Sequence, residues 1–290
     1  MNTRQRLQFG FLTNQFWRVI CCFLSSWLFL TATVQAGPLT DRLAAFPDWD
    51  SKPAVQPAEG DLEYPSWLAG NWTMTSTLVD LVAPLAPDVV SPGFNDNQRF
   101  LNQAIACEVR FVPSSGLPIN RGLISLLPLK GLVKIPVVSD RAFNGFNLAK
   151  AYLGDSVLAV NVDPRSPNRQ MTLLQGGRQL ISVVTARAVE TPAPDRFVTT
   201  ELFQQVFRGV PNPYLNQVET TTAYQRLASP ADAADGSEGA APDGPAIVAD
   251  QVTAIYLSPQ DPQYFKAGDR PAALYRYRLE FVRADSGANG

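Results

Sequence analysis

The sequence predicts an all-β protein: an antiparallel sheet of about 8–10 strands curled into a barrel, with one short helix and an N-terminal signal and extension. Three observations carry this expectation. The first is period two. In Trp72-Thr73-Met74-Thr75-Ser76-Thr77-Leu78, Trp72, Met74 and Leu78 share one face, and Thr73, Thr75 and Thr77 the other. Ile105, Cys107, Val109 and Phe111 alternate in the same way with Ala106, Glu108 and Arg110. The second is composition: the alternating runs are rich in Val, Thr, Tyr and Phe. The third is punctuation. Gly176-Gly177 stands between two such runs and reads as a tight hairpin turn. Strands that alternate wet and dry faces form antiparallel sheets with one face buried, and closing the sheet removes its edges.

Taken in order, the chain opens with a basic segment holding Arg4, Arg6 and Arg18 and no acid. The apolar run Val19–Val34 follows, and Val34-Gln35-Ala36 precedes Gly37 as a small-x-small cleavage site. Residues 1–36 therefore read as a secretory signal peptide, with an uncleaved anchor as the alternative, and the run is short for a spanning helix. No later segment is apolar enough to span a membrane as a helix. Cys21 and Cys22 lack the small preceding residue of a lipidation site. Residues 37–64 read as a helical and linker extension. Leu39, Leu43 and Phe46 share one side of a short helix with Thr40 as its N-cap, and a polar, proline-containing stretch runs from Pro47 to Pro65.

The domain proper is expected over 65–285. Its further strands are expected at Ser156–Asp163, Gln170–Gln175, Gln179–Val189, Phe197–Val206, Gln217–Leu227, Val248–Leu257 and Ala273–Arg283, with a short one near Leu132–Val138. The helix is expected at Ala142–Leu153, after Asp140-Arg141. Ser229–Pro245 holds four acids and little bulky apolar content, so it reads as a mobile acidic loop; it lacks the spacing of a calcium loop.

Composition excludes several functions. The chain contains no histidine, which removes Ser-His-Asp and Cys-His catalysis and His-ligated metals. Carboxylate, tyrosine, lysine and arginine chemistry stays open, but no spaced pair of acids marks such a site, and no catalytic residue, metal site or cofactor is assigned. After signal cleavage Cys107 is the one remaining cysteine, so no internal disulfide forms; its parity with Val109 and Phe111 reads as a buried thiol. The formal charge is −2, and removing three arginines leaves −5, which argues against nucleic-acid binding.

Some polar groups stand out. Arg141 and Asn144, beside Asp140 at the helix start, have two readings. They hold an anion through the guanidinium fork, or Asp140 caps the helix and Arg141 pairs locally. Tyr224 shares a face with Thr220 and Thr222, which line either a polar cavity or the solvent side; Thr199, Glu201 and Phe203 form a second such face. Ser258–Phe265 links the last two strands, and Tyr264-Phe265 is read as a plug folding over a barrel end.

Gly70-Asn71-Trp72 opens the first domain strand, and an arginine-bearing strand closes the chain. This arrangement resembles the lipocalin and wider calycin superfamily, where a late arginine packs across the tryptophan of a Gly-x-Trp motif. Parity selects Arg283, which continues the Tyr275–Phe281 face, ahead of Arg278. Gly70, Trp72 and Arg283 are thus structural candidates. Tyr64–Trp72 with Ser76–Asp80, Asp140–Asn144 and Asp261–Phe265 resemble a longer pattern, that of an uncharacterised domain-of-unknown-function family of cyanobacteria with plant relatives in the thylakoid lumen. The resemblance implies a periplasmic or lumenal location and brings no established activity.

The functional expectation is an exported barrel binding a small apolar or amphipathic molecule of lipid or pigment class. Arg141, Asn144 and Tyr224 are the candidate ligand contacts. The alternative is a non-catalytic assembly factor for photosynthetic or envelope membrane complexes, with exposed aromatics around Phe94–Phe100 and Phe203–Tyr214 as its contact.

Overall fold

The computed structural model describes residues 37–114, 135–211, 213–228 and 244–284. The expected signal peptide and nearly all of the acidic loop at 229–245 lie outside them. The described strands are β1 (Gln56–Pro57), β2 (Gly70–Val82), β3 (Ala104–Pro113), β4 (Val137–Ser139), β5 (Val157–Asp163), β6 (Ser166–Leu174), β7 (Gln179–Ala193), β8 (Arg196–Arg208), β9 (Tyr214–Arg226), β10 (Ile247–Leu257) and β11 (Ala273–Arg283). The helices are α1 (Pro38–Ala44), α2 (Phe94–Asn97), α3 (Arg141–Leu153) and α4 (Tyr264–Ala267).

The strands pair antiparallel in the order β4-β3-β2-β11-β10-β9-β8-β7-β6-β5, while β1 adds to β7. The sheet curls into a half-barrel. Among the described residues no ladder joins β4 to β5. Helix α3 packs against β3 on one flank and against β5 and β6 on the other, bridging the gap. A helix conceals an edge as a strand does, by occupying the space a partner would enter. The turn at Gly176-Gly177 is present; both glycines have positive φ, near 73°, which a side chain would disfavour.

Registers assign the faces, because directly opposed residues share a side. Ser76, Leu279, Ala249, Tyr224 and Phe197 align across β2, β11, β10, β9 and β8 on the concave face. Tyr275, Thr253, Thr220, Glu201 and Arg187 form a second concave row. At the alternate positions of β10, Val252, Ala254 and Tyr256 face the convex side, and all three are fully buried.

The convex side is covered by the N-terminal extension. Leu39, Leu43 and Trp49 pack with Val198, Val252, Ala254, Tyr256 and Leu274. The stretch expected to be a linker thus contributes a buried Trp49, the strand β1 and a buried Leu62. Thr40 is not the N-cap of α1. Gly37 holds that position, with Pro38 beginning the helix, and Thr40 lies within its first turn. The free N–H groups are instead met by Glu190 from β7, whose carboxylate accepts from Leu39 N at 2.6 Å and Thr40 N at 3.3 Å.

Under this extension lies a buried carboxylate. Glu219 is 0% exposed. Arg42 donates to it from Nε (2.7 Å) and Nη2 (2.9 Å), Tyr256 Oη at 2.7 Å and Thr221 Oγ1 at 2.8 Å. Arg42 also stacks on Trp49, 3.9 Å from the ring centroid. A buried charge persists only when paired and hydrogen-bonded, and this one is both.

Candidate functional site: the two ends of the concave face

At one end of the concave face the interior is full. Trp72, Phe111, Phe197, Tyr224, Ile247 and Phe281 form one buried cluster, with Tyr64 packed against it. Tyr64 meets Phe111 edge-on at 4.8 Å between centroids and Tyr224 at 6.2 Å. Burial raises the pKa of both tyrosines. Trp72 Nε1 donates to Leu68 O at 2.8 Å. Arg283 lies over the Trp72 ring, 4.1 Å from its centroid, and donates to Ala69 O at 3.0 Å. Gly70 makes this approach possible: its φ is +121°, and an added Cβ would lie 2.4 Å from Arg283 Nη1. The predicted trio Gly70, Trp72 and Arg283 therefore meets as one unit, which seals this end.

Arg141 and Asn144 are brought close together by α3, and each is engaged by the protein itself. Asp140 caps the helix by accepting from Phe143 N at 3.1 Å. Asn144 donates to Arg110 O and Ser139 Oγ and accepts from Arg110 N at 2.7 Å, which fastens α3 to β3 and β4. Arg141 spans Asp61 and Glu201, both at 3.0 Å, and Arg187 reaches the same Glu201 at 3.2 Å. Asp140 caps the helix as the second reading expects, but Arg141 pairs with Asp61 and Glu201, both distant in the chain, and not locally. Tyr224 belongs to the sealed cluster, on the concave side. Cys107 is buried, and desolvation pushes its thiol pKa up to about 11, so the nucleophilic thiolate is scarce at neutral pH.

Two aromatic expectations are corrected. Phe94 is buried against Leu78 and Tyr275 rather than exposed. Tyr264 packs beside Val89, Leu257 and Ala272, but Phe265 is 91% exposed and plugs nothing. The two neighbours on a short helix turn in different directions, so only one reaches the protein.

The opposite end differs in chemistry. Here the concave wall is mixed: Thr220, Gln251 and Thr253 stand beside Phe203, Ile255 and Tyr277, all only partly buried. Thr222 Oγ1 donates to Gln251 Oε1 at 3.1 Å, and Ser76 and Tyr152 share a hydrogen bond at 3.3 Å. Among the described residues, four buried polar atoms have no hydrogen-bond partner: Ser91 Oγ, Tyr214 Oη and Asn216 Oδ1 at this end, and Arg187 Nε in the concave row with Glu201. Ser91 and Asn97 lie near the Tyr275 hydroxyl, and Asn216 near that of Tyr214, close enough to lower the phenol pKa values, which burial raises by more. Neither Ser91 with Tyr275 nor Asn216 with Tyr214 closes a hydrogen bond of regular geometry. Buried polar atoms are almost always satisfied, so a group of them without partners calls for an explanation.

Sequence reading took Tyr214 for an exposed aromatic, whereas it is partly buried, and it missed Asn216 and Ser91. The strand expected from Gln217 begins at Tyr214, because the alternation Tyr214, Asn216, Val218 carries it three residues further back. Nothing local marks Ser91. No group of His, Cys, Asp or Glu suited to a metal ion occurs among the described residues. Nor, among them, is any helix long and apolar enough to cross a membrane.

These features define a class: an antiparallel half-barrel, sealed at one end by a Gly-x-Trp and arginine clamp and lined by mixed side chains at the other. Comparison of the sequence with known families is more specific. The family described as Domain of unknown function (DUF6816) matches residues 56–285, and the chain belongs to it. The match begins at β1, so the family includes part of the extension as well as the sheet. No curated protein and no solved structure matches the chain.

Proposed function

We propose that this protein binds one small amphipathic molecule, of lipid or pigment class, on the concave face at the end opposite Trp72. The observation that supports this is the pairing of a mixed wall, Thr220, Gln251 and Thr253 beside Phe203 and Ile255, with the unpartnered Ser91, Tyr214 and Asn216. Binding sites combine an apolar lining with a few convergent polar anchors, and native structures leave groups unsatisfied where function requires them. Likeness to the lipocalin-like barrels supports the reading as fold-level analogy. The signal-like sequence at 1–36 supports export to a periplasm or thylakoid lumen in a photosynthetic host.

A second reading, a contact surface for a membrane complex, is favoured by Phe265, exposed on α4 at this same end. One preparation separates the two. The mature protein is purified gently from its native host, and its absorption spectrum and the mass of extracted molecules are recorded. A stoichiometric small molecule is the expected result. An empty protein accompanied by a defined membrane complex would overturn ligand binding in favour of the second reading.

A further inference from the structure

Glu190, on β7, holds the start of the N-terminal extension without any cation. Leu39 N, Thr40 N and Thr40 Oγ1 all donate to its carboxylate, the last at 3.2 Å, and all three are neutral. Among the described residues no lysine or arginine pairs with it. Pro38 opens α1 and brings no N–H of its own, so the next donor toward the N-terminus belongs to Gly37.

Gly37 lies against this carboxylate. A Cβ built on it would fall 2.4 Å from Glu190 Cδ, 2.5 Å from Oε2 and 2.6 Å from Oε1, so any side chain here would displace the carboxylate. The Gly37 nitrogen is bonded to the same Cα, which places it within about 5 Å of both oxygens. On its other side Gly37 is anchored, because its carbonyl accepts from Asp41 N at 3.0 Å.

The same residue follows Val34-Gln35-Ala36 in the sequence. The small residues before the cut define such a cleavage site, and Glu190 accounts for the glycine after it. We propose that cleavage after Ala36 makes Gly37 the N-terminus of the mature protein, and that its ammonium group docks on the Glu190 carboxylate. This rests on the reading of residues 1–36 as a cleaved signal, and it is independent of ligand binding. A peptidase adds water across the Ala36–Gly37 peptide bond. The C–N bond breaks, Ala36 keeps a carboxylate, and the released Gly37 amine takes up a proton.

The exchange alters the contact in kind. A peptide nitrogen offers one neutral N–H, whereas an ammonium offers three donors and a full charge, and charge-assisted hydrogen bonds are about twice as strong as neutral ones. Freed from Ala36, the amine swings about the Cα–C bond while the carbonyl stays anchored. The new pair ties α1 to β7. Helix α1 in turn carries Leu39 and Leu43 onto the convex core and Arg42 onto Glu219. Removal of the signal therefore completes the clamp on the extension.

Two measurements test this. The first is the intact mass of the protein purified from its native host, which should correspond to a chain starting at Gly37. Any other start overturns the inference together with the cleavage reading. The second compares chains released from a cleavable fusion tag, one starting at Gly37 and one keeping Val34-Gln35-Ala36, each with and without Glu190→Gln. Starting at Gly37 should raise the folding equilibrium constant about threefold to tenfold, and Glu190→Gln should abolish this gain. No gain, or a gain that survives Glu190→Gln, overturns the docking and leaves cleavage standing. Should Glu190→Gln not fold, titration of the Gly37 amine decides, followed through its Cα resonance. Its protonation midpoint should be higher in the folded protein than in the same chain unfolded in urea, and equal midpoints overturn the docking.

Discussion

The two ends of the concave face are built from the same strands with opposite economies of polar groups. At the Trp72 end the indole N–H, the Arg283 guanidinium and the backbone carbonyls of Leu68 and Ala69 are matched to one another. At the Tyr275 end hydroxyl and amide groups are buried without partners. The same contrast separates that end from the convex face, where Glu219 receives donors from Arg42, Tyr256 and Thr221. The fold can therefore satisfy even a fully buried carboxylate. Three of the four unsatisfied groups among the described residues lie at that one end, and the fourth is Arg187 Nε.

The largest effects are expected where matching is complete. Trp72→Ala should cost about 3–5 kcal/mol by denaturant unfolding, since it empties a large buried volume. Arg42→Ala leaves Glu219 buried without its cation, and should cost about 3 kcal/mol or more by the same measurement. Arg42→Met combined with Glu219→Gln should recover much of that loss, because it removes both charges together. If the single and double variants are equally unstable, packing of the extension and not charge holds it down.

Alkaline pH tests the buried tyrosines. Burial raises the pKa values of Tyr64, Tyr224 and Tyr256 above the ordinary tyrosine value of about 10. The unfolded chain therefore releases these protons first as pH rises. Stability from this source is complete below about pH 10 and falls as pH climbs through the raised values. Unfolding midpoints followed from pH 8 to 11 should decline only in the upper part of that range. Tyr64→Phe should flatten the decline.

Smaller effects distinguish the ends most sharply. Arg283→Ala loses a partly exposed cation–π contact and one hydrogen bond, about 1–2 kcal/mol. Asn216→Leu should be neutral or raise the melting temperature of the ligand-free protein, because it removes a buried acceptor that no group satisfies. A cost of about 2 kcal/mol or more for Asn216→Leu would show that Asn216 is structural and that the two ends do not differ.

Much of the architecture was legible in the sequence. Alternation located the long strands, and parity alone chose Arg283 over Arg278 for Trp72, since residues two apart keep the same face. The Asp140 cap was legible because its chemistry is local. Glu219 was not. It alternates with Thr221 as a polar face, and only the covering by Leu39, Leu43 and Trp49 from far away in the chain makes it a core residue. Closure by α3 was hidden for a related reason. The sequence shows that a helix exists, while its place between β3 and β5 depends on contacts distant in the chain. The orphaned groups were hidden most deeply, because the failure to find a partner has no sequence pattern.

The most direct test follows backbone and side-chain resonances of the mature protein during titration with decyl glucoside. The account predicts shifts concentrated at Ser91, Tyr214, Asn216, Thr253 and Tyr275, with Trp72 and Arg283 unmoved. Shifts centred on the sealed end or on the convex face around Glu219, or no shifts at saturating ligand, would contradict it.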